Sequence, residues 1–161
     1  MFTNKKSFTL IEILVVMVIV GILAAVAMPI MQGIKKKAIV TEALMGLGRI
    51  RQAEREYRIE RADYVSDDFA SPNGPLRTNG NITLGDLQGT YFGPRAYRAI
   101  RLSAASFLII CRPGSFWNPA GGAPQAAEAN RLLDPNNQGY YILMDQRGRI
   151  TSTIPGVGPF Q

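Results

Sequence analysis

Few residues in this 161-residue chain are equipped for chemistry, and the most conspicuous is a carboxylate in an apolar setting. Glu12 sits at the start of a stretch, residues 13–34, that contains no charged residue. A carboxylate at mid-bilayer costs roughly 2.5–3.5 kcal/mol on insertion scales, and less near an interface. Either Glu12 snorkels to the headgroups from the helix end, or it needs a cation buried with it. Histidine is absent, which removes the commonest general base and the commonest metal ligand. The single cysteine, Cys111, excludes an intramolecular disulfide and a Cys-rich zinc site. Its bulky apolar neighbours read as a core strand, so a buried, inert thiol is expected. No serine lies in a nucleophile elbow and no carboxylate pair stands out, which argues against a membrane-anchored hydrolase.

Two further clusters invite a chemical reading. Asp134-Pro135-Asn136-Asn137-Gln138-Gly139 alternates oxygen-bearing side chains before a glycine, like the start of a calcium loop. Asp134, Asn136 and Gln138 would be the ligands, but the bidentate Glu is missing and the residue types are ordinary for a turn. A turn is preferred, and no metal or cofactor is assigned. Arg95, Arg98, Arg101 and Arg112 could line one side of a hairpin as a basic strip for nucleic acid. Surface solvation explains them equally well, and a nucleic-acid partner is not favoured.

The charge balance supports a membrane rather than a nucleic acid. The net charge is +6, but every lysine lies at positions 5, 6, 35, 36 or 37, flanking the apolar run. From residue 38 onward, 13 arginines face 11 carboxylates. As a helix, the apolar run is about 33 Å long, enough to cross a hydrocarbon core of about 30 Å. It exceeds an ordinary signal-peptide core, so a retained transmembrane helix is expected, with a short N-terminus inside and a polar head outside. Gly21 and Pro29 weaken the helix interior, and residues 21–29 should be its softest part.

Beyond the lysines, Ile39, Ala43, Leu47, Ile50, Ala53 and Tyr57 recur at helical spacing, while Glu42, Arg49, Glu54, Arg55, Arg58 and Arg61 mark the opposite, polar face. One helix over about residues 9–62 is expected. Residues 63–91 are rich in turn formers, including Ser71-Pro72-Asn73-Gly74-Pro75 and Asn79-Gly80-Asn81. Strands are expected at 96–102, 107–111, 140–144 and 149–154, with a hairpin turn at Asp145-Gln146-Arg147-Gly148 and a loop over 114–130. The fold class is therefore α+β: one long N-terminal helix, its first half transmembrane, packed on a small antiparallel sheet of about four strands.

Lys5-Lys6-Ser7-Phe8-Thr9-Leu10-Ile11-Glu12, followed by an unbroken apolar helix with Gly21 and Pro29, resembles the class III signal of type IV prepilins and type II secretion pseudopilins. The resemblance implies a pilin fold with these parts: leader peptide, 1–7; hydrophobic transmembrane and assembly helix, 8–34; amphipathic continuation, 35–62; αβ-loop, 63–95; and sheet head, 96–161. It implies that a prepilin peptidase cuts between Ser7 and Phe8 and N-methylates Phe8. The usual residue before the cut is Gly, and here it is Ser7. Glu12 would pair with the new Phe8 amine of a neighbouring subunit, and the helix would melt locally or kink between Gly21 and Pro29.

The implied function is a prepilin polymerised into a type IV pilus, with no catalytic activity. The alternative is a type II pseudopilin forming a short periplasmic filament; a DNA-binding minor pilin or an anchored periplasmic enzyme ranks below both. Implied partners are the chain itself in a helical homopolymer, the peptidase, an inner-membrane platform protein, an assembly ATPase and, before assembly, the bilayer. The precursor would sit in the inner membrane with its N-terminus cytoplasmic and head periplasmic. The assembled form would be an extracellular pilus or a periplasmic pseudopilus.

Overall fold

The computed structural model describes residues 9–69, 73–78, 81–113, 123–136 and 138–157. Ser7 and Phe8 lie outside the described residues, as do Ser71, Pro72, Asn79, Gly80 and Asn137 of the sequence motifs. The chain divides into two compact units, residues 1–35 and 36–161.

Helix α1, Leu10–Arg61, runs unbroken through Gly21 and Pro29. Its start is capped by Thr9, whose Oγ1 accepts the Glu12 backbone N–H at 3.3 Å. In the first unit the helix surface is apolar and open, with Leu10, Met17, Leu23, Met28 and Ile34 each more than 60 % exposed.

In the second unit, α1 turns one stripe inward: Ile39, Ala43, Leu47, Ile50 and Ala53 are buried, at the spacing the sequence predicts. Glu54 departs from the expected polar face and is fully buried beside them. The helix ends at Ala62, which adopts a left-handed φ of 58° while its N–H bonds to the Arg58 carbonyl at 2.8 Å.

Four strands form one antiparallel sheet in sequential order: β1 (Tyr97–Ser103), β2 (Ser106–Cys111), β3 (Ile142–Asp145) and β4 (Ile150–Ser152). All four match the expected strands in place, with β4 shorter at both ends. Register is fixed by Tyr97 opposite Cys111, Ile109 opposite Met144 and Leu143 opposite Thr151. Alternation directs Tyr97, Ala99, Phe107, Ile109, Cys111, Ile142 and Met144 into the core shared with the α1 stripe. Gly148, at φ 87°, supplies the left-handed residue of the β3–β4 turn.

Two short helices were not expected. Helix α2, Pro75–Thr78, opens on a proline within the turn-rich loop and buries Leu76. Helix α3, Ala126–Leu133, overlaps the end of the expected 114–130 loop and buries Ala129, Leu132 and Leu133. Ile82 joins no strand and packs into the core.

Candidate functional site

Among the residues expected to act in assembly, the structure places Glu12, Gly21 and Pro29 on one helix. Glu12 is exposed at the third position of α1, so its carboxylate faces the positive end of the helix dipole. Thr9 caps the same turn, a contribution that the Thr9-x-x-Glu12 spacing signals as half of a capping box. A side chain added at Gly21 would meet nothing within 4 Å, so this glycine leaves open helix surface. By length and composition α1 can cross a bilayer.

The head is tied together by charged helix side chains that reach loop backbone. Glu42 accepts N–H groups from Thr90 (3.1 Å), Tyr91 (2.7 Å) and Phe92 (2.7 Å). Arg49 donates to the Asp86 carbonyl, and Arg51 donates to the Gln146 carbonyl at 3.2 Å. Glu54 accepts the Val65 N–H at 3.3 Å through Oε2, while Oε1 has no partner. Burial raises the Glu54 pKa to about 7, the Val65 N–H offsets part of that, and the Asp67 charge adds to it.

Asp67 organises the loop after α1. Its backbone exchanges two hydrogen bonds with Ala99 of β1, at 3.0 and 2.7 Å. Its carboxylate accepts N–H groups from Phe69 (2.8 Å) and Leu76 (3.3 Å) and faces Arg77 at 3.0 Å. The Phe69 bond is local, only two residues on, whereas the paired bonds to Ala99 join the loop to a distant strand and no local pattern marks them.

The calcium-like cluster resolves into a helix-ending turn. Asp134 is buried, and its two oxygens accept N–H groups from Gln138 (2.7 Å), Gly139 (2.8 Å) and Tyr140 (3.1 Å). The Gln138 side-chain carbonyl accepts the Tyr140 hydroxyl. Among the described residues, no group of three or more His, Cys, Asp or Glu is placed to hold a metal ion.

Three of the four strip arginines, Arg98, Arg101 and Arg112, have separate surroundings. Arg101 pairs with Asp63 at 2.7 Å, Arg112 lies 5.8 Å from the Tyr141 ring centre, and Arg98 lines a cavity beside Asp67. Cys111 is fully buried, and its thiol pKa is driven up by that burial.

Comparison with known proteins follows this architecture. The prokaryotic N-terminal methylation motif matches residues 2–28. A fimbrial protein of Neisseria meningitidis is 35 % identical over 91 residues, 56 % of this chain and 49 % of that protein. The type IV major pilin protein PilE of Neisseria gonorrhoeae is 41 % identical over 71 residues, 44 % of this chain and 42 % of that protein. The type IV wide pilus major component PilA4 of Thermus thermophilus is 36 % identical over 82 residues, 50 % of this chain and 63 % of that protein. The chain thus spans about half the length of the curated relatives it matches. No solved structure is a significant match.

A long helix on a four-stranded antiparallel sheet is the α+β architecture typical of pilins. The methylation motif and the fimbrial and major-pilin relatives together support a place for the chain in the type IV pilin family.

Proposed function

We propose that the chain is a prepilin, cut between Ser7 and Phe8, N-methylated on Phe8 and polymerised through α1 into a type IV pilus. The observation that carries this reading is the methylation motif over residues 2–28, overlapping a helix whose apolar surface is exposed along residues 10–34, half-buried Ala24 apart, while the head buries its own core. That surface is far larger than a monomer in water tolerates, and a bilayer or neighbouring helices would cover it.

In this reading Glu12 pairs with the Phe8 amine of a neighbouring subunit. Leaving either charge buried alone is expensive, so the pair favours one axial register. Neighbouring helices would also surround backbone groups freed by melting between Gly21 and Pro29. The leader is residues 1–7, the assembly helix 8–34, its amphipathic continuation 35–62, the αβ-loop 63–95 and the head 96–161. The precursor would lie in the inner membrane with its N-terminus cytoplasmic, served by prepilin peptidase, a platform protein and an assembly ATPase. The pilin relatives favour a pilus over a periplasmic pseudopilus.

Mass spectrometry of the chain from cells tests the processing step: the expected N-terminus is methylated Phe8. An intact Met1 on chains that assemble normally overturns it. Electron microscopy of surface filaments bearing this chain tests the destination.

A further inference from the structure

We propose that Lys35, Lys36 and Lys37 form a cationic collar on α1 that binds anionic phospholipid, with the phosphodiester headgroup of phosphatidylglycerol as its ligand. The proposal rests on the reading of α1 as a bilayer span before assembly, and it names the lipid that this span selects.

The three lysines directly follow Ile34, the last residue of the open apolar surface, and all three are exposed. Neighbouring residues on a helix are about 100° apart, so three in succession spread over about 200° of its circumference. A protein that docks on one side of a helix meets residues spaced three and four apart. A collar suits a partner that surrounds the helix, and the headgroup layer of a bilayer does so. The apolar run also sets the depth. With the hydrocarbon matched to residues 13–34, the lysine stems lie at its boundary and the ammonium groups reach the phosphates.

The local charge is of one sign. No carboxylate occurs from residue 13 to residue 41. Glu42, the first one beyond, gives its oxygens to the Thr90, Tyr91 and Phe92 N–H groups of the head. Residue type points the same way. All five lysines of the chain flank the apolar run, whereas residues 38–161 carry 13 arginines and no lysine. Lysine places a compact, strongly hydrated charge on a flexible stem, which suits mobile headgroups and needs no fixed fork geometry. Each such charge adds to the attraction for an anionic surface, and phosphatidylcholine, with no net charge, offers none of it. The collar thus holds the subunit at the headgroup layer on the head side of α1, and a subunit leaving the bilayer gives these contacts up.

The test reconstitutes the full-length chain in phosphatidylcholine vesicles carrying a trace of spin-labelled phosphatidylglycerol or spin-labelled phosphatidylcholine. Electron paramagnetic resonance reads the share of label immobilised beside the protein, and flotation reads insertion. Labelled phosphatidylglycerol should associate at least threefold more than labelled phosphatidylcholine at low salt, and added sodium chloride should erase the preference. Lys35→Gln, Lys36→Gln and Lys37→Gln together should float unchanged and lose more than half of it. Lys35→Arg, Lys36→Arg and Lys37→Arg together should keep it, and Lys5→Gln with Lys6→Gln should lower it by less than half. Sodium phosphate should compete no better than sodium chloride of equal ionic strength, which separates a lipid headgroup from free phosphate. Equal association of the two labels, a preference that survives the three Lys→Gln changes, its loss in the Lys5→Gln and Lys6→Gln variant, or displacement of the lipid by phosphate or duplex DNA beyond the ionic-strength effect each overturn the proposal while leaving the bilayer reading intact. A chain that floats with neither vesicle overturns both.

Discussion

Gly46 of α1 and Tyr97 of β1 are packed so closely that a Cβ on the glycine would occupy the space of the phenol hydroxyl and ring edge. Tyr97 is buried opposite Cys111 in the sheet, and its ring packs 6.2 Å from that of Phe92. The glycine notch therefore sets how closely the helix and the sheet approach within the head.

The first prediction contrasts this glycine with Gly48, two residues on, where an added Cβ would meet nothing within 4 Å. Gly48→Ala should stabilise the head by about 1 kcal/mol through helix propensity alone. Gly46→Ala gains the same propensity but overpacks the core, and should be destabilising by about 1–3 kcal/mol. Thermal unfolding of both variants checks this; a shared direction of shift would remove the packing role of Tyr97.

These contacts also show what was legible in the sequence. The apolar run, the Ile39–Ala43–Leu47–Ile50–Ala53 stripe and the alternating strands are local patterns, and they set the fold. By residue type Glu54 belongs on the polar face, but its spacing of four from Ile50 and seven from Leu47 puts it on the buried stripe. Helix α3 was hidden by the glycines and prolines before it, yet Ala129, Leu132 and Leu133 carry helical spacing. The Glu42 clamp was not legible, since its partners lie 48 to 50 residues away. The proposed pairing of Glu12 with a neighbour's Phe8 amine lies between subunits, and local patterns only suggest it.

The second prediction concerns pH. Glu54 has a folded pKa of about 7 against an ordinary value of 4.5, because burial penalises its charged form. Between those values the folded state binds the extra proton, so stability falls as pH rises through this window. The shift corresponds to about 3 kcal/mol, fully present below pH 4.5 and lost above pH 7. Glu54→Gln keeps an acceptor for the Val65 N–H and should flatten this slope, leaving the variant more stable than the parent at pH 8. Denaturant unfolding at pH 5 and pH 8 measures it. Asp63 acts in the opposite sense: the Arg101 hydrogen bond holds its pKa down, so its contribution is lost only on acidification below the ordinary aspartate range.

A third prediction follows from Glu42. Replacing it with alanine strands three N–H groups of residues 90–92 and should cost about 2 kcal/mol. Hydrogen exchange should accelerate at Thr90, Tyr91 and Phe92 before it changes in β2. Unchanged protection at those amides would show that the clamp is dispensable.

Ala62 offers a gain instead of a loss. A left-handed φ of 58° strains a residue with a Cβ, and Gly is the usual occupant of this position after a helix. Ala62→Gly should stabilise the head by about 0.5–1 kcal/mol, net of the entropy glycine adds to the unfolded chain. A lower melting temperature would mean that the αL residue is not strained in its surroundings.

The last prediction separates two roles that meet at the start of α1. Thr9 caps the helix by accepting the backbone N–H of Glu12, and that bond survives any change in the Glu12 side chain. Thr9→Ala removes the cap, at about 1 kcal/mol, and leaves the carboxylate in place. Glu12→Gln keeps the cap and a side chain of nearly the same shape, and removes only the charge. If Glu12 serves to pair with a neighbour's Phe8 amine, Glu12→Gln should insert into the membrane normally yet fail to enter filaments. Thr9→Ala should fray the first turn, seen as faster exchange of the Glu12 amide, while still assembling. Fractionation of cells into membrane and sheared-filament pools reads both variants at once. Equal filament yields from Glu12→Gln and the parent would assign Glu12 to the helix dipole alone and remove its role in register.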